Sequence, residues 1–234
     1  MNSPGLSAHN PCGDAMNPLA SLYDFVDTRA DQVLLAQTPL LMVPRFGTMP
    51  PLEAGQRRYI AAKDGIYIQA RSRAMSVSLK VANTPPLPFG EWKESLWIIG
   101  GRAPHHFFAQ FQDLAQRRAP VEVAALVVWN PLTKEYDYVP RPSLSDSAGH
   151  ITYRVDDVDE DYLVFDWHSH GDAEAFFSAT DNISDQRGLY IATVLGRCRQ
   201  PAPHWDGASP KFAQTRIVVD GFFYPVPWHP WEGR

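Results

Sequence analysis

Cysteine is nearly missing from this chain: Cys12 and Cys198 are the only two in 234 residues. Two cysteines cannot build the disulfide framework of a small secreted domain, and at positions 12 and 198 they form no C-x-x-C zinc site. The cytoplasm is therefore the expected compartment. Long apolar runs are missing too. No stretch approaches the roughly 18 residues that would span a bilayer, so no membrane partner is expected. The opening MNSPGLSAHNPCGDAMNP has neither the basic nor the apolar region of a signal peptide. Blocks of lysine and arginine are also missing. With 21 Lys+Arg against 26 Asp+Glu the net charge is -5, and without clustered cations no nucleic-acid partner is expected.

What is present suits a packed core: 44% of residues are apolar and 20% charged. The length fits one main core plus a smaller appendage. Residues 1–18 read as a disordered leader. Apolar residues at Leu19, Leu22, Tyr23, Val26, Val33 and Leu34 predict a short helix over 19–37. The prolines at 39 and 44 keep the next stretch extended. RYIAAKDGIYIQARS reads as a hairpin about its Asp-Gly pair. MSVSLKVAN alternates like a half-buried strand. The Pro-rich NTPPLPFGEW then marks a boundary, giving a β-rich extension over 19–90 and a second domain over 91–234.

In that second domain, residues 103–118 predict an amphipathic helix with Phe107, Phe108, Phe111, Leu114 and Ala115 on one face. VEVAALVVW reads as a strand buried on both faces. EYDYVPRP and DYLVFDWHSH are two further strands, SATDNISDQRG a short helix, and GLYIATVLG and TRIVVDGFFYPV two more strands. The order predicts a mixed α/β (α+β) fold.

Chemistry concentrates in DWHSHGDAEAFFSATD, residues 166–181. His9, His150, His204 and His229 lie in polar or Pro-rich stretches and carry no assignment. His105 and His106 are adjacent, so they point to different faces of their helix and are read as structural. His168 and His170 differ: two residues apart on a strand, they share a face and can meet one metal ion. A third ligand must come from Asp172, Glu174 or Asp181. Asp172 would give H-x-H-x-D, which metallo-β-lactamases follow with a histidine where this chain has Ala173. Asp181 is favoured, because Ser178-x-x-Asp181 has capping-box spacing and would place its carboxylate at a helix start.

The full string, H-x-H, seven residues, S, two residues, D, resembles the zinc signature of the JAB/MPN (JAMM) metalloprotease family, with His168, His170, Ser178 and Asp181 in each place. The resemblance covers about residues 100–225. It implies a mixed sheet flanked by helices with cytidine-deaminase-like layering. It also implies one Zn²⁺ held by His168, His170 and Asp181. The family's upstream glutamate, the general base, falls on Glu122 in APVEVAALVVW, with Glu135 the fallback. Ser178 becomes an oxyanion donor rather than a nucleophile. The implied reaction is hydrolysis of a peptide or isopeptide bond at the C-terminus of a ubiquitin-like protein or its conjugates. A non-catalytic binding module and a zinc hydrolase of a small molecule are the competing readings. The β-rich extension followed by this glutamate and HSHG…AFFSATDN is similar to the PRTRC-system members, whose bacterial gene cassette also encodes an E1/ThiF-like protein and a small ubiquitin-like protein. Two departures stand out. Gly171 and Phe177 occupy places where the family often has proline, and the shape of the loop between them bears on specificity.

Overall fold

A computed structural model describes residues 38–141, 158–200 and 211–226. The leader over 1–18, the helix expected over 19–37, Cys12 and the four unassigned histidines lie outside the described residues. Pro39–Arg234 belongs to one unit and Met1–Thr38 to another.

The first sheet follows chain order: β1 (Leu40–Met42), β2 (Arg57–Ala62), β3 (Gly65–Arg71), β4 (Met75–Asn83) and β5 (Ser95–Ile98). β1 and β2 are parallel and the other pairs antiparallel. The expected hairpin forms, but its loop is Lys63-Asp64, because Ala62 pairs with Gly65. Gly65 instead serves a close approach. A Cβ there would lie 2.3 Å from the Ala82 carbonyl oxygen, beside the register shift between Ile66 and Tyr67. In β4 the alternation places Met75, Val77 and Leu79 inside. β5, which sequence reading left unassigned, returns past the Pro-rich stretch to pair with β4.

The second sheet has the order β11-β10-β9-β8-β6-β7. It comprises β6 (Ala124–Asn130), β7 (Glu135–Arg141), β8 (Leu163–Ser169), β9 (Leu189–Leu195), β10 (Ala213–Val219) and β11 (Phe222–Pro225). Only β8 and β9 run parallel. A parallel pair needs a crossover connection, and helix α2 (Ala179–Ser184) lies in it. TRIVVDGFFYPV, expected as one strand, is a hairpin. It breaks at Asp220-Gly221, where φ is 46° and 80°. Two left-handed residues of this type make the tight turn that matches strand twist.

Helix α1 (His105–Arg118) buries Phe108, Phe111 and Ala115. The Phe108 and Phe111 rings lie 5.6 and 5.8 Å from the Trp167 ring of β8. One core cluster joins α1 to Val77 and Leu79 of the first sheet and to Ala125, Val127 and Trp167 of the second. The opposite face carries a smaller cluster of Leu126, Leu163, Tyr190, Ala192 and Val218. β6 and β8 are thus buried on both faces, as their apolar composition predicts. The protein is mixed α+β, built on two mixed sheets with few helices among the described residues.

Candidate metal centre

His168 is the penultimate residue of β8, and His170 follows the strand's end. Strand geometry continues to that point, because the His170 N–H donates to the Leu195 carbonyl at 2.7 Å. Both side chains therefore leave the same face, and their rings lie 5.2 Å apart. Ser169 between them faces the other way and is wholly buried. Its N–H donates to the Val123 carbonyl at 2.9 Å, and its Oγ accepts the Val123 N–H at 3.1 Å.

These two hydrogen bonds fix Val123 beside Ser169, and Glu122 precedes it. Ala124 is paired with His168 and Val123 is bonded to Ser169, so the register sets Glu122 opposite His170. Directly opposed residues of antiparallel strands share a face. Glu122 lies two residues ahead of β6 rather than inside it and is half-buried; continuing the alternation of β6 through Val123 assigns it to the face of Ala124. Glu135 opens β7 and pairs with Asn130 at the far end of β6. Its position in the ladder is remote from the histidines.

Asp181 arrives from the crossover. Ser178 caps α2: its Oγ accepts the Asp181 N–H at 3.2 Å, and Asp181 Oδ2 accepts the Ser178 N–H at 2.6 Å. This capping box ties the carboxylate to the helix start. Asp181 Oδ1 lies 3.3 Å from His168 Nε2, and Oδ2 lies 3.6 Å from His170 Nε2. One ligand atom from each of the three residues falls within 4.8 Å of the others. Asp172 and Glu174, the rejected ligands, are exposed and pair with Arg199 and with Arg197 and Lys211 instead.

The donor set fits a tetrahedral metal. Bonds of about 2.0–2.2 Å put neighbouring ligand atoms roughly 3.3–3.6 Å apart; the two imidazole–carboxylate separations are of that size, each to a different Asp181 oxygen. The approach of His168 to Asp181 is near but off-axis. His168 Nε2 is buried without a hydrogen-bond partner, the condition of a lone pair directed at a cation. Burial disfavours the charged His168, but the adjoining Asp181 carboxylate outweighs it and raises the imidazole above its ordinary value. Burial likewise works against ionised Asp181, yet the two imidazoles and Ser178 hold its carboxyl far below the usual range.

The flanking loop is firmly seated. Gly171 has φ +56°, and a Cβ there would lie 2.4 Å from the Pro120 carbonyl oxygen. The half-exposed Phe176 ring meets His170 edge-on at 4.5 Å between centroids, and Phe177 meets His168 at 6.2 Å. Sequence reasoning assigned neither ring a role, and it missed Arg216. The Arg216 guanidinium lies between the Phe177 and Phe223 rings and pairs with Asp185. A lone arginine in the apolar run of β10 was the available signal.

No curated protein matches the chain. Residues 28–98 match a domain of unknown function (DUF2016). Residues 104–208, which hold β6, β8, α2 and all five predicted site residues, match the prokaryotic homologs of the JAB domain, and this supports the JAB/MPN family for that region.

Proposed function

We propose that the protein is a zinc-dependent hydrolase that cuts a peptide or isopeptide bond at the C-terminus of a ubiquitin-like protein. The observation that carries this reading is the convergence of His168, His170 and Asp181, with an orphaned imidazole nitrogen among them and a glutamate across the ladder. A bound zinc ion would supply a Lewis acid and bring the pKa of a coordinated water down to about 7.

The chain's own residues supply the rest. Glu122, opposite His170, accepts a proton from the attacking water and passes it to the departing amine. Ser178 Oγ already accepts the Asp181 N–H, which leaves its own O–H to donate to a developing oxyanion, a contribution of roughly 3 kcal/mol in comparable sites. The two imidazoles are flanked by the Phe177 and Phe176 rings, apolar neighbours that strengthen charge interactions at the site.

The finer assignments rest on resemblance. The substrate is a ubiquitin-like tail or its conjugate, an E1/ThiF-like protein of the same cassette is a partner, and the compartment is the cytoplasm. The first sheet, which reaches Ile98, is read as support for the catalytic domain, with which it shares a core. The deciding experiment purifies the protein without chelator and measures bound metal. It then follows release of a reporter fused to the C-terminus of the candidate ubiquitin-like protein, with and without chelator. Chelator-sensitive release, lost in Glu122→Ala while zinc is retained, supports the proposal. An active Glu122→Ala protein removes Glu122 from the mechanism. Absence of zinc removes the metalloenzyme reading, and zinc without release leaves a binding module.

A further inference from the structure

Helix α2 carries Asp181 but has little of its own to hold it in place. It is six residues long and buries none of its side chains. A helix this short is not stable alone, and its apolar residue Ile183 is exposed. Its anchor is Arg216 on β10. This side chain is 5% exposed, too enclosed to touch a substrate. It lies 3.8 Å from the Phe177 ring centroid and 3.9 Å from that of Phe223. Its Nε, at 3.2 Å, and a terminal nitrogen both donate to Asp185 Oδ2, and the second terminal nitrogen donates to Asn182 Oδ1 at 2.5 Å. The other Asp185 oxygen accepts the Tyr190 hydroxyl at 2.6 Å. The Asp185 N–H in turn donates to the Asp181 carbonyl at 2.9 Å.

Arg216 therefore grips the segment on both sides of Asp181. Phe177 immediately precedes the cap, Asn182 immediately follows Asp181, and Asp185 lies one turn on. Phe177 also packs against His168. A buried ion pair contributes little stability beyond what apolar residues of the same volume would give. A planar arginine fork does add direction. We propose that Arg216 is a positioning residue: the Arg216–Asp185–Asn182 clamp holds Asp181 against His168 and His170 and thereby sets the affinity of the centre for zinc. This inference rests on the metal reading above.

The test compares zinc affinity, measured by competition with a chromophoric chelator, with the visible spectrum of the Co²⁺-loaded protein and the melting of the metal-free protein. Arg216→Met alone would strand a buried carboxylate, so the informative variant is the double Arg216→Met, Asp185→Leu. It should fold and melt moderately below the wild type without metal, because the Tyr190 hydroxyl loses its acceptor, bind zinc about 10–100-fold more weakly, and show a weakened cobalt band. Arg216→Lys keeps the charge without the fork and should recover part of that loss. If the double variant does not fold, Asn182→Ala decides the question, because it removes one arm of the clamp and leaves the ion pair. A folded variant that binds zinc within about twofold of the wild type, with the wild-type cobalt spectrum, overturns the clamp. A wild-type protein that binds no zinc overturns the metal reading and the clamp together.

Discussion

Gly171 follows the second histidine, where the resembling signature often carries proline. Its φ of +56° is out of reach of a pyrrolidine ring, and the missing Cβ admits the Pro120 carbonyl. The departure is therefore physical: the loop turns left-handed and lets the segment leading to Glu122 press against the residue beside His170. Gly171→Ala should cost about 1–3 kcal/mol from backbone strain alone, with a further cost from displacing Pro120. The expected result is a lower melting temperature and a hydrolytic rate that falls more than zinc affinity does. Equal losses in both would place the effect on the histidines instead. His168 supports a second expectation. Its folded pKa lies above the ordinary 6.5, so its pairing with Asp181 stabilises the metal-free protein fully below that value and ceases to do so as pH rises through the raised one. Zinc needs the neutral imidazole. Metal-free stability should thus fall with rising pH while zinc affinity climbs. Melting curves and zinc competition across the same pH series check the opposed slopes. Asp181, held far below its usual range, contributes no slope there.

At the level of elements, the site is a meeting of two strands and one helix start. Ser178 serves both the helix and the proposed chemistry, and substitutions can separate the two roles. Ser178→Ala removes the cap, costing about 1 kcal/mol, and should weaken zinc binding because Asp181 loses its frame. Ser178→Thr keeps an oxygen at the cap and should hold zinc close to the wild-type level. A rate loss in Ser178→Ala beyond the loss in zinc occupancy would measure the oxyanion role, and a proportional loss would leave Ser178 as a cap alone. Much of this geometry was legible in the sequence because it is local. H-x-H on a strand and S-x-x-D at a helix start are periodicities of 2 and of one turn, and each aims its side chains without help from distant residues. The turns were harder. An Asp-Gly pair was read as the turn at Asp64-Gly65, where the glycine in fact admits the Ala82 carbonyl. At Asp220-Gly221 a real left-handed turn was passed over inside an apolar run. The same dipeptide answers to two demands, positive φ or close approach, and only the neighbouring strand decides between them. The partners of Arg216 were illegible for the same reason, although a lone arginine in an apolar run marked the position. They lie on segments far apart in the chain, and no spacing encodes them.

The matched segments 28–98 and 104–208 look separable in sequence, yet within the whole molecule the described parts share one core. Ile68, Met75, Val77 and Leu79 of the first sheet are buried in the same cluster as Phe108 and Phe111 of α1 and Trp167 of β8. Polar ties cross as well: Arg57 pairs with Asp220, the Tyr224 hydroxyl donates to Glu94 at 2.8 Å, and Arg73 lies 3.4 Å from Asp161. Surface pairs of this kind contribute little each, so the apolar burial decides. At about 1.5–3 kcal/mol per fully buried side chain, those four residues represent about 6–12 kcal/mol. That is comparable with the entire net stability of about 5–15 kcal/mol expected of a folded domain. A fragment beginning at residue 99 would lose this burial and open the cluster that Phe108, Phe111 and Trp167 share with the first sheet, on whose packing the strand carrying His168 depends. Such a fragment should show no cooperative thermal transition, lack a fixed near-ultraviolet tryptophan signal, and take up no zinc. The full chain should melt in a single transition seen alike by far- and near-ultraviolet dichroism. A fragment that melts cooperatively and binds zinc with wild-type affinity would instead make the first sheet an attachment, and would return its purpose to partner recognition rather than to completing the core.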